Sequence, residues 1–174
     1  PTQPINTPSD VENDLLEPAT SIDGQNNKTV EQIRSRNEVI NSTRRVSFKN
    51  SSIEGSINLK GAILDDLTLS KYKTSLDPGS DNIHLLSPDG TKNPYYIETG
   101  WKELGGSNVD LPNLETEWEA DSINLSTSKP VSLIWTNNQN ITFKIIYSFD
   151  DEYMFSIRQE IENNSNEAIE VFPY

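Results

Sequence analysis

Regular alternation of apolar residues near the end of the chain constrains the fold more than any other feature. Between residues 141 and 149 every second residue is apolar, namely Ile141, Phe143, Ile145, Tyr147 and Phe149. Successive side chains of a β-strand point to opposite faces, so this spacing places all five on one face. We therefore predict a strand that covers a hydrophobic core with one side.

The same period occurs on both sides of this strand. The further alternating sets are Val131, Leu133 and Trp135; Tyr153, Phe155, Ile157 and Ile161; and the segment 169–172. Polar turns at 137–140, 150–152 and 163–166 separate them. We predict that these strands form an antiparallel meander.

Shorter strands are predicted upstream of the meander, at 53–60, 63–69, 83–86 and 95–99. In the first of these, Ile53, Ile57 and Leu59 share one face and polar residues occupy the other, as in a half-buried strand. In the second, the apolar face is expected to contain Ile63, Leu67 and Leu69. The region 46–174 is therefore predicted to be all-β, either an antiparallel sandwich or half of a larger one.

The chain ends at Tyr174, directly after a predicted strand. A sheet that stopped there would present unpaired N–H and C=O groups, which natural domains usually cover. We expect partner strands beyond residue 174 or from another copy, so that the fold in this chain is incomplete.

The first 45 residues contain no aromatic residue, and four prolines lie among the first eighteen positions. We predict a flexible, low-complexity linker over 1–27, because this segment buries too little apolar surface to offset the entropy of ordering. The alternative is a tail that packs on the domain through Ile5, Val11, Leu15 and Leu16.

A short helix is predicted near residues 29–41. One helical face would carry Val30, Ile33, Asn37 and Ile40. Thr29 and Gln32 have the spacing of a capping box, and Arg44 and Arg45 follow the carboxyl end, where cations suit the helix dipole. Both a transient helix in a tether and a docked helix fit this pattern.

Acidic residues outnumber basic ones by 27 to 14, which gives a formal net charge of −13. Such a charge repels phosphate backbones, so we expect no nucleic-acid binding. Cysteine is absent, which removes disulfides, thiol nucleophiles and thiolate metal sites. No apolar run is long enough to span a bilayer. The chain begins at Pro1 without an initiator Met, and we expect any membrane segment to lie outside it.

The residue pattern predicts no catalytic centre. His84 is the single histidine and lies inside a predicted strand. A Ser–His–Asp triad would have to use it, and the sequence contains no nucleophile elbow. Carboxylates cluster at 65–66, 115–121 and 150–152, but none has the spacing of a calcium-binding loop. We therefore predict no enzyme, no metal site and no cofactor.

Aromatic residues are the best candidates for contact with a ligand or partner. Trp135 alternates with core residues and is expected in the core, whereas Trp101 precedes a loop and is expected to be exposed. Trp101, Tyr95 and Tyr96 are the predicted contact residues. On these residues and the sandwich fold, a secreted carbohydrate-binding or adhesion module is one hypothesis for the function.

The order of segments from Val46 to Tyr174 supports another hypothesis. It resembles the periplasmic domain of the bacterial membrane protein insertase YidC, in its alphaproteobacterial form. The segments that carry the resemblance are 55–67 (Gly-Ser-Ile-Asn-Leu-Lys-Gly-Ala-Ile-Leu-Asp-Asp-Leu), 85–91, 93–101, 151–155 and 162–163. Residues 1–45 are similar to the family only in kind, as a low-complexity tether.

The resemblance implies a β-supersandwich similar to galactose mutarotase, of which 46–174 would be the first part. It implies a place on the periplasmic side of the inner membrane, anchored through segments outside this chain. It further implies a non-catalytic accessory role in membrane-protein insertion and folding, with membrane-protein clients and Sec translocon components, including SecD–SecF, as partners. A spacer that sets the distance between an insertase and its partners is a third hypothesis.

Overall fold

The computed structural model describes residues 33–106 and 108–174, which contain one helix and eleven strands. The helix is α1 (Arg36–Ile40), and the strands are β1 (Arg45–Lys49), β2 (Ile53–Asn58), β3 (Ile63–Lys73), β4 (Asn82–Leu86), β5 (Trp101–Glu103), β6 (Glu119–Ala120), β7 (Asn124–Leu125), β8 (Val131–Thr136), β9 (Ile141–Phe149), β10 (Phe155–Asn163) and β11 (Val171–Pro173). The predicted linker over 1–27 lies outside the described residues.

The strands form three sheets. The first has the order β4-β3-β2-β1-β7, the second β10-β9-β8-β6, and the third pairs β11 with β5. All strand pairs are antiparallel except β1 with β7, which run parallel. The prediction of an all-β, antiparallel fold is confirmed.

The alternating residues of β9 occupy the hydrophobic core as their spacing predicts. Their side chains are at most 4% exposed, whereas the residues between them are only half-buried. Phe143 lies opposite Trp135 of β8 and Ile161 of β10, so both neighbours continue the same apolar face. Burial of this face supplies the main favourable term for folding, because it removes apolar surface from water.

One cluster of buried side chains joins the first sheet to the second. The ring of Phe48 in β1 lies 5.8 Å from that of Phe149 and 5.1 Å from that of Phe155, measured between centroids. The hydroxyl of Tyr147 donates a hydrogen bond of 2.9 Å to the carbonyl oxygen of Ala62. Burial raises the pKa of Tyr147 to about 12, so the phenol remains a donor. Two sheets with a shared core form a β-sandwich.

A β-bulge in β3 changes the predicted core residues of that strand. Ser56 pairs with Asp66 and Ile57 pairs with Leu64, so Asp65 is the extra residue of the bulge. Leu64 is consequently buried at 1% exposure, while Ile63, which the alternation placed in the core, is only half-buried. The prediction of Ile63 as a core residue is therefore wrong.

The helix begins later than predicted. It starts at Arg36, because Ser35 is extended and serves as its N-cap. The Ser35 hydroxyl accepts a hydrogen bond of 3.3 Å from the N–H of Glu38, whose carboxylate accepts one of 2.8 Å from the N–H of Ser35. The Ser35 hydroxyl also donates a hydrogen bond of 2.7 Å to this carboxylate, and that bond, followed by the one from the Ser35 N–H, lowers the pKa of Glu38. The predicted box of Thr29 and Gln32 lies outside the described residues.

The buried face of α1 also differs from the prediction. Ile33 precedes the helix and is 68% exposed, whereas Val39 is 8% exposed and packs inward. Arg45 does not serve the helix dipole, because it belongs to β1 and forms an ion pair with Asp65.

Two predicted strands differ from the structure. Residues 95–99 form no strand, since Tyr95 bridges Ser87 while Ile97 bridges Leu64, and no continuous ladder results. The meander ends at β10, because the segment 164–170 leads the chain to β5 instead. The last predicted strand is thus real, but its neighbour is a distant segment.

We expect Gly55→Ala to lower the free energy of unfolding by about 1–3 kcal/mol, as overpacking does elsewhere. A methyl group at this position would overlap the carbonyl oxygen of Asp66 and lie 2.7 Å from the Phe48 ring. Urea denaturation of the chain would measure the change. Gly79→Ala is the matched control: no atom lies within 4 Å of its added methyl group. We expect it to change stability by less than about 0.5 kcal/mol, and equal losses in the two variants would contradict the close approach at Gly55.

Candidate functional site

The outer face of the five-stranded sheet carries a set of buried polar side chains. Ser56, Asp65, Asp66 and Thr68 are at most 7% exposed, although they point away from the hydrophobic core. Ser56 of the predicted polar face of β2 is among them, because its hydroxyl lies between Arg45 and Asp66. We call this surface with the helix above it the helix-docking face.

Charged and hydroxyl groups of the helix-docking face form one connected network. Arg45 forms an ion pair with Asp65, and Arg36 of α1 forms one with Asp66. Ser56 joins the two pairs, since its hydroxyl accepts from Nε of Arg45 at 2.7 Å and donates to Asp66 at 2.6 Å. Charge-assisted hydrogen bonds of this kind are strong and directional, so the network defines how α1 sits on the sheet.

Burial determines the energetics of the network. It raises the pKa of Asp65, and the Arg45 guanidinium beside it acts in the opposite direction. Both side chains of that pair are less than 10% exposed. Removing one partner would leave an uncompensated buried charge, which is more costly than the intact pair is favourable. The pairs therefore specify a particular arrangement of strands and helix.

His84 lies at the margin of this network. Its Nδ1 is 2.9 Å from the hydroxyl oxygen of Thr68, which also accepts a hydrogen bond of 3.2 Å from Arg36. Partial burial, and then the positive charge of Arg36, lower the pKa of His84. Because Thr68 is 6% exposed, this hydroxyl–imidazole pair presents no accessible nucleophile to a substrate.

A groove of about 580 Å³ separates α1 from the sheet. Its charged lining consists of Arg36 and Lys49 against Glu54 and Asp66. These charges are matched in pairs, with Lys49 at 2.6 Å from Glu54, so the groove offers no excess charge to select an ion. Within residues 33–106 and 108–174, no group of three or more side chains is arranged to hold a metal ion.

The expectation that Trp101 is exposed is wrong. The side chain is 5% exposed and stacks on Trp118 with 6.4 Å between ring centroids. It also packs against Phe143 in an edge-to-face arrangement with 5.1 Å between ring centroids, so it belongs to the core. Trp101 therefore presents no face to a sugar ring, which removes the main residue behind the carbohydrate-binding hypothesis.

Tyr95 and Tyr96 are accessible, and with Ile97 they form an exposed apolar segment. The exposed fractions are 68% for Tyr95, 37% for Tyr96 and 43% for Ile97. Reciprocal hydrogen bonds of 2.9 Å to Ser87 hold the first residue, and bonds of 2.9 and 3.1 Å to Leu64 hold the last. The segment is thus firmly positioned on the sandwich, although its role in partner contact stays a prediction.

Sequence reasoning missed the helix-docking face. The signal that could have revealed it is a pair of adjacent carboxylates, Asp65 and Asp66, inside a strand that is otherwise apolar from residue 63 to 67. Charged residues are almost never fully buried unless they are paired, so each of these two carboxylates requires a basic partner. Arg45 is the partner of Asp65, and Arg36 is the partner of Asp66.

None of the helices in the described residues is long and apolar enough to cross a membrane. The two sheets, their shared core and the exposed loop segments place the chain among antiparallel β-sandwich proteins.

Comparison with known proteins narrows this class. The YidC periplasmic domain family matches residues 45–174. The chain is 41% identical over 140 residues to the membrane protein insertase YidC of Methylorubrum extorquens. The aligned region covers 80% of this chain and 22% of that protein. It is 40% identical over 137 residues to the insertase of Zymomonas mobilis, covering 79% and 23%. It is 42% identical over 130 residues to that of Rickettsia bellii, covering 75% and 23%.

This chain therefore belongs to the YidC periplasmic domain family, and the resemblance found in the sequence is confirmed. It spans less than a quarter of the length of these three curated relatives.

We expect Arg36→Ala to raise the pKa of His84, because the substitution removes a neighbouring positive charge. His84 is the single histidine, so its ring protons can be followed by NMR as the pH is changed. Arg44→Ala is the matched control, since Arg44 is exposed and lies 3.7 Å from Glu117 instead. An unchanged His84 titration in Arg36→Ala, or an equal shift in both variants, would contradict the assigned network.

Proposed function

We propose that this domain is a periplasmic accessory part of a YidC-type insertase and does not itself catalyse a reaction. The observation that carries the proposal is the exposed Tyr95–Ile97 segment, held by backbone hydrogen bonds on a domain of this family. The buried hydroxyl of Thr68 and the matched charges of the groove support a binding role over a catalytic one.

In this proposal the domain is attached to the inner membrane through segments outside residues 1–174 and stands on its periplasmic side. The segment before α1 acts as the tether in this proposal, and the ion pair between Arg36 and Asp66 attaches α1 itself to the sandwich. The net charge of −13 keeps the domain away from anionic lipid headgroups within about a Debye length, roughly 8–10 Å.

The partners in this proposal are membrane-protein clients and Sec translocon components, including SecD–SecF. Exposed, preorganised aromatic side chains are effective anchors in protein interfaces, because they bury much apolar area with little loss of side-chain freedom. Tyr95 is the most accessible of the three residues in the segment and is therefore the expected first point of contact.

The test uses the intact insertase in its native membrane, with a photo-crosslinking amino acid in place of Tyr95. We expect crosslinks to Sec components or to a nascent membrane protein. The control places the same amino acid at Ser128, which is exposed in the connection between β7 and β8. Equal crosslinking at the two positions, or none at residue 95 in a correctly inserted protein, would contradict the proposal.

A functional variant tests the same segment. We expect Tyr95→Ala with Tyr96→Ala to reduce insertion of a Sec-dependent client about two- to tenfold, the range for losing one or two interface anchors. The amount of insertase in the membrane and its protease resistance serve as controls for folding. Full insertion activity in this double variant would argue against the segment as a contact site.

A further inference from the structure

Leu64, near the beginning of β3, holds the Tyr95–Ile97 segment. A second exposed cluster lies near the end of the same strand. Tyr72, near the end of β3, is 52% exposed, and its ring centroid lies 6.5 Å from that of Tyr153. Tyr153 is 38% exposed and Met154 is 69% exposed, both beside the turn between β9 and β10. Exposed aromatic and methionine side chains that cluster are unusual on a monomer surface and mark sites of protein contact.

The turn beside this cluster is held in one conformation. The Asp150 carboxylate accepts hydrogen bonds of 2.8 Å from the N–H of Glu152 and 3.0 Å from that of Met154. These bonds hold the pKa of Asp150 below its usual range. The amide of Asn50 donates to the carbonyl oxygens of Asp150 and Glu152, both at 3.1 Å, and so ties this turn to the β1–β2 turn of the other sheet.

The charge beside the cluster is negative and accessible. Asp151 and Glu152 are exposed, and neither forms an ion pair within the described parts of the chain. On β3, the strand that carries Tyr72, Lys71 directs its ammonium group to the Ser52 hydroxyl at 2.8 Å, and Lys73 shares with Lys71 the face opposite Tyr72. Two free carboxylates therefore stand next to aromatic rings, which together attract a cation by Coulomb and cation–π interactions.

We propose that Tyr72, Tyr153 and Met154, with the carboxylates of Asp151 and Glu152, form a docking surface for a basic amphipathic segment of another protein. Such a segment places Arg or Lys beside apolar side chains, so its cations meet the carboxylates and ring faces while its apolar residues cover Met154. We call this the tyrosine–carboxylate surface.

Charge complementarity argues for this occupant over others. Anionic lipid headgroups carry the same sign as the surface, and so does a second copy of a chain with a net charge of −13. Residues 1–32 contain six carboxylates and a single lysine, so that segment is not complementary either.

The experiment uses the 174-residue chain labelled with ¹³C on the methionine methyl group. Met154 is the only methionine, so one resonance reports on the tyrosine–carboxylate surface, and the His84 ring reports on a separate region. The probe is a synthetic amphipathic peptide of Leu and Arg, compared with the same peptide carrying Glu in place of Arg. We expect a saturable shift of the Met154 methyl resonance with the Arg peptide, no shift with the Glu peptide, and an unchanged His84 ring.

The variant Asp151→Asn with Glu152→Gln tests the charge, because both side chains are exposed and the fold does not depend on them. We expect binding about fivefold weaker, as for the loss of two surface charge contacts. Asp89→Asn with Glu119→Gln is the matched control, since it changes the net charge equally at exposed sites elsewhere and should bind as the parent does. No saturable shift, equal shifts with both peptides, or equal weakening in both double variants would overturn the proposal. A Met154 shift that follows protein concentration without peptide would indicate self-association and would also overturn it.

Discussion

The burial of Asp65 and Asp66 is the constraint on which the arrangement of this domain depends. A regular strand would send adjacent residues to opposite faces, and one of these carboxylates would then enter the hydrophobic core. The bulge at Asp65 avoids this outcome by turning both residues to the outer face of the sheet. The cost is two buried anions side by side, and each requires its own cation.

The two cations come from different parts of the chain, and this connects the elements. Arg45 stands at the start of β1, so its pair with Asp65 links β1 to β3 across β2. Arg36 belongs to α1, a helix of five residues that is too short to persist without a partner surface. Its pair with Asp66 and the burial of Val39 supply that surface. Charge pairing thus determines how the helix is attached to the sandwich, whereas the alternation of apolar residues determines the sandwich itself.

This division explains which features the sequence predicts. The core strands β8 and β9 follow from period two alone, since each inward residue between Val131 and Phe149 needs only an apolar neighbour on the next strand.

Ile63 and Trp101 were predicted wrongly because their environment depends on non-local features. A bulge moved Leu64 into the place expected for Ile63, and pairing of β5 with the distant β11 turned Trp101 inward. The ion pair of Arg36 with Asp66, thirty residues apart, leaves no periodic trace in the sequence. Only the adjacent carboxylates inside an apolar strand signal it.

β3 connects the network to both exposed surfaces. Leu64, near its beginning, holds the Tyr95–Ile97 segment through backbone hydrogen bonds, and Tyr72, near its end, belongs to the tyrosine–carboxylate surface. Eight residues of β3 separate these two points, a length of at most about 26 Å along a strand. The buried network lies within this span, with both ion-paired carboxylates near its Leu64 end, and joins the strand to β1 and α1. Slipping of β3 along β2 would therefore break buried ion pairs. Two proteins bound at the two proposed surfaces would therefore contact opposite ends of this one strand.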